Sequence, residues 1–226
     1  MLEAASASDT ITAGLAYATA IVEAVSAGDT SDATVPMVGL ATLDGAATNV
    51  TMSNGNLTAT HSTHDSNSGV RSTATKTTGK YYFEATVSMD ASNSCVGIIL
   101  STGTYFNLVT FGHDCVITGK GTGNILANNA NSGKTLGAIA AGSVIGVAID
   151  FGGRLAWLRK SGGNWNGDAA ANPATGANGV AFPATVAFTP VVGFGAEATG
   201  FDTATFNFGQ STFANAAPSG FGNWTA

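Results

Sequence analysis

From Lys80 the chain alternates. Tyr81, Phe83, Ala85, Val87 and Met89 fall on one side and Tyr82, Glu84, Thr86 and Ser88 on the other, the period of two that a half-buried strand requires. Ile145, Val147 and Ile149 repeat the pattern, and the turn Asp150-Phe-Gly-Gly153 leads into Leu155 and Trp157, a hairpin signature. Regularly spaced runs predict strands over 56–61, 69–73, 80–89, 94–100, 105–111, 114–118, 143–151, 154–160, 185–194 and 203–208. Short strands separated by turn residues at this spacing mean a sandwich or a barrel. Phe83, Trp157, Phe206 and Phe208 lie on strand faces and are expected in the core.

Residues 1–45 do not share this pattern. Glu3-Ala-Ala-Ser-Ala-Ser-Asp-Thr10 returns as Glu23-Ala-Val-Ser-Ala-Gly-Asp-Thr30, an offset of 20 residues. Such a period marks a unit that buries its apolar side against a neighbour. Ile11, Ala13, Leu15, Tyr17 and Ile21 alternate, whereas Ile11, Leu15, Val22 and Val25 fit a helical stripe, so periodicity leaves strand and helix open. The interrupting Thr and Gly favour an extended arm. Two copies are too few for a solenoid, so the arm is expected to dock on another subunit and to make the protein a homo-oligomer. A hinge and opening strand cover 36–49, and the chain divides into an arm over 1–45 and a β-domain over 46–226.

Composition narrows the picture. Only 10% of residues are charged, the net charge is −6, and the eight Lys and Arg are scattered, which argues against a nucleic-acid partner. The apolar stretch 11–25 is too short and too rich in Ala and Thr to cross a bilayer, so no membrane insertion is expected. Met1-Leu-Glu-Ala-Ala-Ser has neither the basic nor the apolar region of a Sec-type signal, so release by lysis, or within a particle assembled in the host cytoplasm, is expected. Cys95 and Cys115 sit in apolar runs and read as buried free thiols.

Sites of chemistry are sparse. Ser132-Gly-Lys-Thr135 imitates the end of a phosphate loop, but Asn128 stands where its first Gly belongs. Gly119-Lys-Gly-Thr-Gly123 reads as a hairpin tip. His61 and His64 are spaced like one edge of a metal site without the ligands to complete it, so both read as solvated loop residues, and no metal or cofactor is expected. Glu84, Asp150, Asp168 and Glu197 show no pairing of the kind glycoside hydrolysis needs, so no catalytic residue is assigned. Glu84, between Tyr82 and Thr86, reads as a hydrogen-bonding residue of its sheet. Tyr105, Phe106, Trp165 and Trp224 fall in loops or the tail, where they either bind sugar or peptide or cover sandwich ends and subunit contacts.

Three blocks carry a resemblance. Gly79-Lys-Tyr-Tyr-Phe-Glu-Ala-Thr-Val87 resembles the strand that opens the SPRY (B30.2-like) core. Val144-Ile-Gly-Val-Ala-Ile-Asp150 with Leu155-Ala-Trp157 resembles the central hairpin of that family. Thr205-Phe-Asn-Phe-Gly-Gln210, Phe213 and Pro218-Ser-Gly-Phe221 resemble its closing strand and tail. The blocks occur in family order over roughly residues 50–222. Lys160-Ser-Gly-Gly-Asn-Trp165 replaces the usual Asn-Gly turn, and the loop 165–182 is long and rich in Ala, Asn and Gly; with the repeat arm, this is similar to SPRY domains attached to bacteriophage virion proteins. The resemblance implies an all-β, bent two-sheet antiparallel sandwich that binds through loops and catalyses nothing. The expected function is a virion structural protein of tail fibre, tail tip or head decoration, docked to other virion proteins through residues 1–45. Its ligand would be a host-surface glycan or protein, met by Arg71, Tyr105, Asn107, His113, Asp114 and Trp165. The alternatives are a free carbohydrate- or peptide-binding module and, below it, a glycan-cleaving enzyme.

Overall fold

The structure, a computed structural model, describes residues 40–47, 49–65, 68–89, 94–103, 115–119, 121–128, 130–183, 186–196 and 201–226. The predicted strand 105–111, the site residues Tyr105, Asn107, His113 and Asp114, and the arm up to residue 39 lie outside them.

Two antiparallel sheets face each other, as expected for an all-β sandwich. The first contains β1 (Val50–Ser53), β2 (Thr58–His61), β13 (Thr203–Asn207), β4 (Lys80–Ser88), β9 (Ser143–Asp150), β10 (Leu155–Lys160) and β11 (Val180–Ala181), in that spatial order. The short β14 (Gly222–Asn223) runs parallel to the start of β4. The second sheet is β3 (Ser68–Arg71), β12 (Phe188–Phe194), β5 (Cys95–Leu100), β6 (Cys115–Gly119), β7 (Asn124–Ala127) and β8 (Ala130–Thr135).

The alternation of β4 places it. Phe83, Ala85 and Val87 enter the core between the sheets together with Ile145, Val147 and Ile149 of β9 and Ala204 and Phe206 of β13. Phe83 anchors an aromatic cluster, with ring centroids 6.0 Å from Phe206, 5.9 Å from Phe208 and 6.0 Å from Trp224. Trp224, placed by the sequence in the tail, is fully buried there, because β14 carries the tail back onto the sheet. The predicted hairpin closes as expected, with Asp150 opposite Leu155; Gly119 ends β6 and Gly123 precedes β7. Ala41 and Leu43 are also fully buried, and Leu40 bridges Thr225, so residues 40–44, which the sequence grouped with the arm, belong to the sandwich.

The outer face of β4–β9–β10 has a small core of its own. Tyr82, Ala148 and Trp157 form one rung of the sheet, and Trp165, Phe213 and Phe221 pack over it. Gly146 makes room for this layer, since a Cβ there would lie 2.5 Å from the Tyr82 hydroxyl. The loop after β10 is pinned by Asn166, whose Oδ1 accepts the Leu158 N–H at 2.9 Å and whose Nδ2 donates to the Asn178 carbonyl at 3.0 Å.

His61 corrects the solvated-loop reading. It ends β2, is fully buried and stacks on Phe194 at 5.1 Å, whereas His64 is exposed and stacks on Phe201. The strand partners bring His61 inward, because the alternation that leaves Thr58 and Thr60 half-buried on the outer face buries Ala59 and His61.

Cys95 and Cys115 are buried on the far face of the second sheet. Burial pushes the Cys95 thiol up to about 12, against a smaller opposing pull from the Gly193 N–H. Burial, then the Glu84 carboxylate, also raises the Tyr82 hydroxyl above the ordinary tyrosine range. Both groups stay protonated in the fold at a pH where the unfolded chain ionises. Their contribution to stability is full below the ordinary thiol pKa of about 8.5 and falls as pH rises towards the folded values. Melting temperature is therefore expected to decline above about pH 9. Neither thiol should react with Ellman's reagent at pH 8 until denaturant is added. Rapid labelling of the native protein would contradict this burial.

Candidate binding site

Of the six residues expected to contact a ligand, two are described: Arg71 lies in one sheet and Trp165 in the loop over the other. Arg71 ends β3 at the edge of the six-stranded sheet. Its guanidinium donates to the carbonyls of Ser101 and Gly103, so it fastens the turn after β5. Trp165 is half-buried over the other sheet, edge-on to Tyr82 at 6.2 Å and under the Arg159 guanidinium at 4.3 Å. Arg159 also donates to the Ala216 carbonyl at 3.0 Å, so this contact ties the loop after β10 to the C-terminal tail. The Trp165 ring packs on the outer face of the sheet beside Tyr82.

Glu84 is the centre of a second fastening. Only 3% exposed, it projects from β4 on the face opposite Phe83. Its carboxylate accepts from the Tyr82 hydroxyl at 2.7 Å, the Ala214 N–H at 2.7 Å, and the Asn215 backbone and side-chain N–H groups at 2.8 and 2.9 Å. The chain leaves β13 at Asn207, crosses the outer face and returns as β14. Glu84 captures it midway. A charged acceptor with this many donors is a structural anchor, as expected for this residue from the sequence.

Beside this anchor lies a cleft of about 400 Å³, within the range of small-ligand sites. Leu57, Val144 and Phe206 line its apolar part. Asn54, Thr86, Thr205, Ser211 and Thr212 supply neutral polar groups. Asn207 and Gln210, also at the wall, are occupied: Asn207 holds Gly209, Ser211 and Thr212, and Gln210 links Phe208 to Ala41. Glu84 is the one ionisable residue among those lining the cleft.

Sequence reasoning missed this site. Its signal is present as a Thr-x-Thr or Thr-x-Ser step on four strands: Thr51 and Ser53, Thr58 and Thr60, Thr86 and Ser88, Thr203 and Thr205. Each step points away from core residues of its own strand, yet the pattern becomes a surface only through strand pairing between distant parts of the chain.

Asp168, considered as a candidate acid, stands apart in the loop after β10. The Ala170 N–H holds its carboxyl below the ordinary range against a small desolvation cost, helped by Lys134 at 3.5 Å and by Asn178. Glu197 lies outside the described residues. Among the described residues, no group of three His, Cys, Asp or Glu side chains is placed to hold a metal.

No protein-family model and no curated protein sequence matches this chain. Solved structures do. The SPRY domain of human HERC1 matches with a TM-score of 0.58 and 18% identity, over 74% of this chain and 96% of that one. The TRIM65 PSpry domain matches with a TM-score of 0.52 and 12% identity, over 74% and 92%. Stonustoxin matches with a TM-score of 0.51 and 14% identity, over 74% of this chain but 27% of that much longer one. Two opposed antiparallel sheets with these neighbours make the β-domain a SPRY-type sandwich.

Proposed function

We propose that this chain is a non-enzymatic binding module carried on a virion, a tail-fibre, tail-tip or head-decoration component. The arm ahead of residue 40 docks it to other virion proteins and joins identical copies, and the sandwich mediates protein or host-surface binding. The observation that carries the binding reading is how the polar side chains are spent. Glu84 is given to the tail, Arg71 to the turn after β5, and Arg159 with Trp165 to the loop after β10. These groups hold loops in place, which is what a recognition surface on a rigid scaffold needs. The virion assignment is supported by the Ala-, Ser-, Asp- and Thr-rich repeat joined to such a sandwich.

Mass spectrometry of purified particles, with antibody labelling, tests the assignment. Stoichiometric presence is expected, with label over the head for decoration or at the tail end for receptor binding. Absence from particles would sink the virion reading and favour a free module. Within the loops, Tyr105→Ala is expected to weaken attachment to the host surface several-fold. Trp165→Ala tests whether the half-buried ring also contributes. Unchanged attachment in both would remove these loops from the contact surface.

A further inference from the structure

The outer face of β1, β2, β13 and β4 carries two rows of hydroxyl groups. Registry places Thr51 opposite Thr60, Thr60 opposite Thr203 and Thr203 opposite Ser88. The next row outward on the same strands runs Ser53, Thr58, Thr205 and Thr86, and then meets Val144 of β9. With strands about 4.8 Å apart, each row is about 14 Å long. Thr58 and Thr205 hydrogen bond to each other at 2.9 Å. The opposite side chains of these strands, such as Ala59, Ala85, Val87, Ala204 and Phe206, are core residues, so the rows point to solvent. The second row ends in the 400 Å³ cleft, where Thr86 and Thr205 are lining residues.

We propose that this face and its cleft bind a neutral polysaccharide. The proposal deepens the binding-module reading and rests on it. The lining matches the two faces of a pyranose ring. Leu57 and Val144 offer apolar contact for its C–H groups, and hydroxyls and the Asn54 amide offer both donors and acceptors to its hydroxyls. Other ligands fit less well. A nucleic acid needs Lys or Arg, and the residues lining the cleft include neither. An extended peptide recognises a sheet by its edge, whereas this site is a face. A protein partner gains most of its energy from Trp, Tyr and Arg, and these rows contain only Thr and Ser. An anionic glycan would meet the Glu84 carboxylate with no cation beside it in the lining. The two rows extend from the cleft, so a chain of several sugars is expected to bind better than a single one.

The test is an amide-shift titration of the full chain with maltohexaose, cellohexaose, mannohexaose and N-acetylchitohexaose, and with a hyaluronan hexasaccharide as the anionic control. At about 10 mM sugar, a Kd of about 1 mM fills some nine-tenths of sites. At least one neutral hexamer is expected to shift residues 51–58, 86 and 203–212. Thr86→Val and Thr205→Val should each weaken that binding about five- to tenfold, the loss of one hydrogen bond, while Lys134→Ala, on the edge strand of the other sheet, leaves it unchanged. Melting curves of both valine variants check that the sandwich remains folded. Silence from all four neutral hexamers, equal or stronger binding of hyaluronan, or unchanged binding in both valine variants would overturn the proposal. Such a failure with the chain present in particles leaves the broader module reading intact. Neutral-glycan binding by a chain absent from particles keeps this site and removes the virion.

Discussion

A Glu84→Ala variant is expected to melt roughly 6–12 °C below the parent. The change strips the acceptor from the Tyr82 hydroxyl, two backbone N–H groups and the Asn215 amide, and the Tyr82 hydroxyl cannot turn to solvent because its ring is fully buried. Ala214 is exposed and Asn215 half-buried, so part of the loss is recovered by water. About 3 kcal/mol remains, taking the usual penalty for unsatisfied buried groups, and each kcal/mol lowers the melting temperature by about 2–4 °C in a domain of this size. The tail over 208–221 should also become a protease target before the rest unfolds. Glu84→Gln retains one acceptor oxygen and is expected to lose about half as much. A tail that resists protease in Glu84→Ala would show that the aromatic packing of Phe213 and Phe221 suffices without the carboxylate.

Gly97→Ala is expected to be more severe. Gly97 lies in β5, paired on both sides, opposite Val191 of β12 and Ile117 of β6. A Cβ at this position would fall 2.1 Å from the Val116 carbonyl oxygen and 2.8 Å from the Ile117 Cα. These atoms are backbone and cannot rotate away, so the β5–β6 pair must part or shift register. The expected cost is about 4 kcal/mol or more, at the high end for a single substitution, with insoluble expression as the visible result. A soluble variant with unchanged amide exchange across β5 and β6 would refute this close approach. Gly121→Ala, at a turn where an added Cβ meets no atom within 4 Å, bears only the strain of its φ of +89°, about 1–2 kcal/mol, and should still fold.

The difference between these glycines marks what can be read along one chain and what cannot. The alternation of Tyr81 to Met89 and of Ile145 to Ile149 predicted β4 and β9, their buried faces and the hairpin into Trp157, because burial with period two is written locally. β7 and β8 went unread. Asn124–Ala127 and Ala130–Thr135 contain few large apolar residues, and β8 is an edge strand with little to bury. His61 was read as a loop residue and Trp224 as a tail residue, because nothing beside them in sequence announces Phe194 or Phe83. Of the site, Glu84 was legible as a sheet residue with polar neighbours, but its true partners lie about 130 residues away, at Ala214 and Asn215. The hydroxyl rows have the same character: each strand contributes two members, and only registry assembles them.

The bridge between Leu40 and Thr225, with the Ala41 N–H donating to the Trp224 carbonyl at 3.2 Å, brings both ends of the sandwich to one corner. A short Gly-Ser splice from residue 226 to residue 40 would close the domain into a ring without stretching either end. New ends opened in the exposed turn at Ser161 to Gly163 would then give a circular permutant that retains every core strand. A cargo or label could thus be mounted far from the corner where the chain enters the sandwich, with the hydroxyl rows left open to solvent.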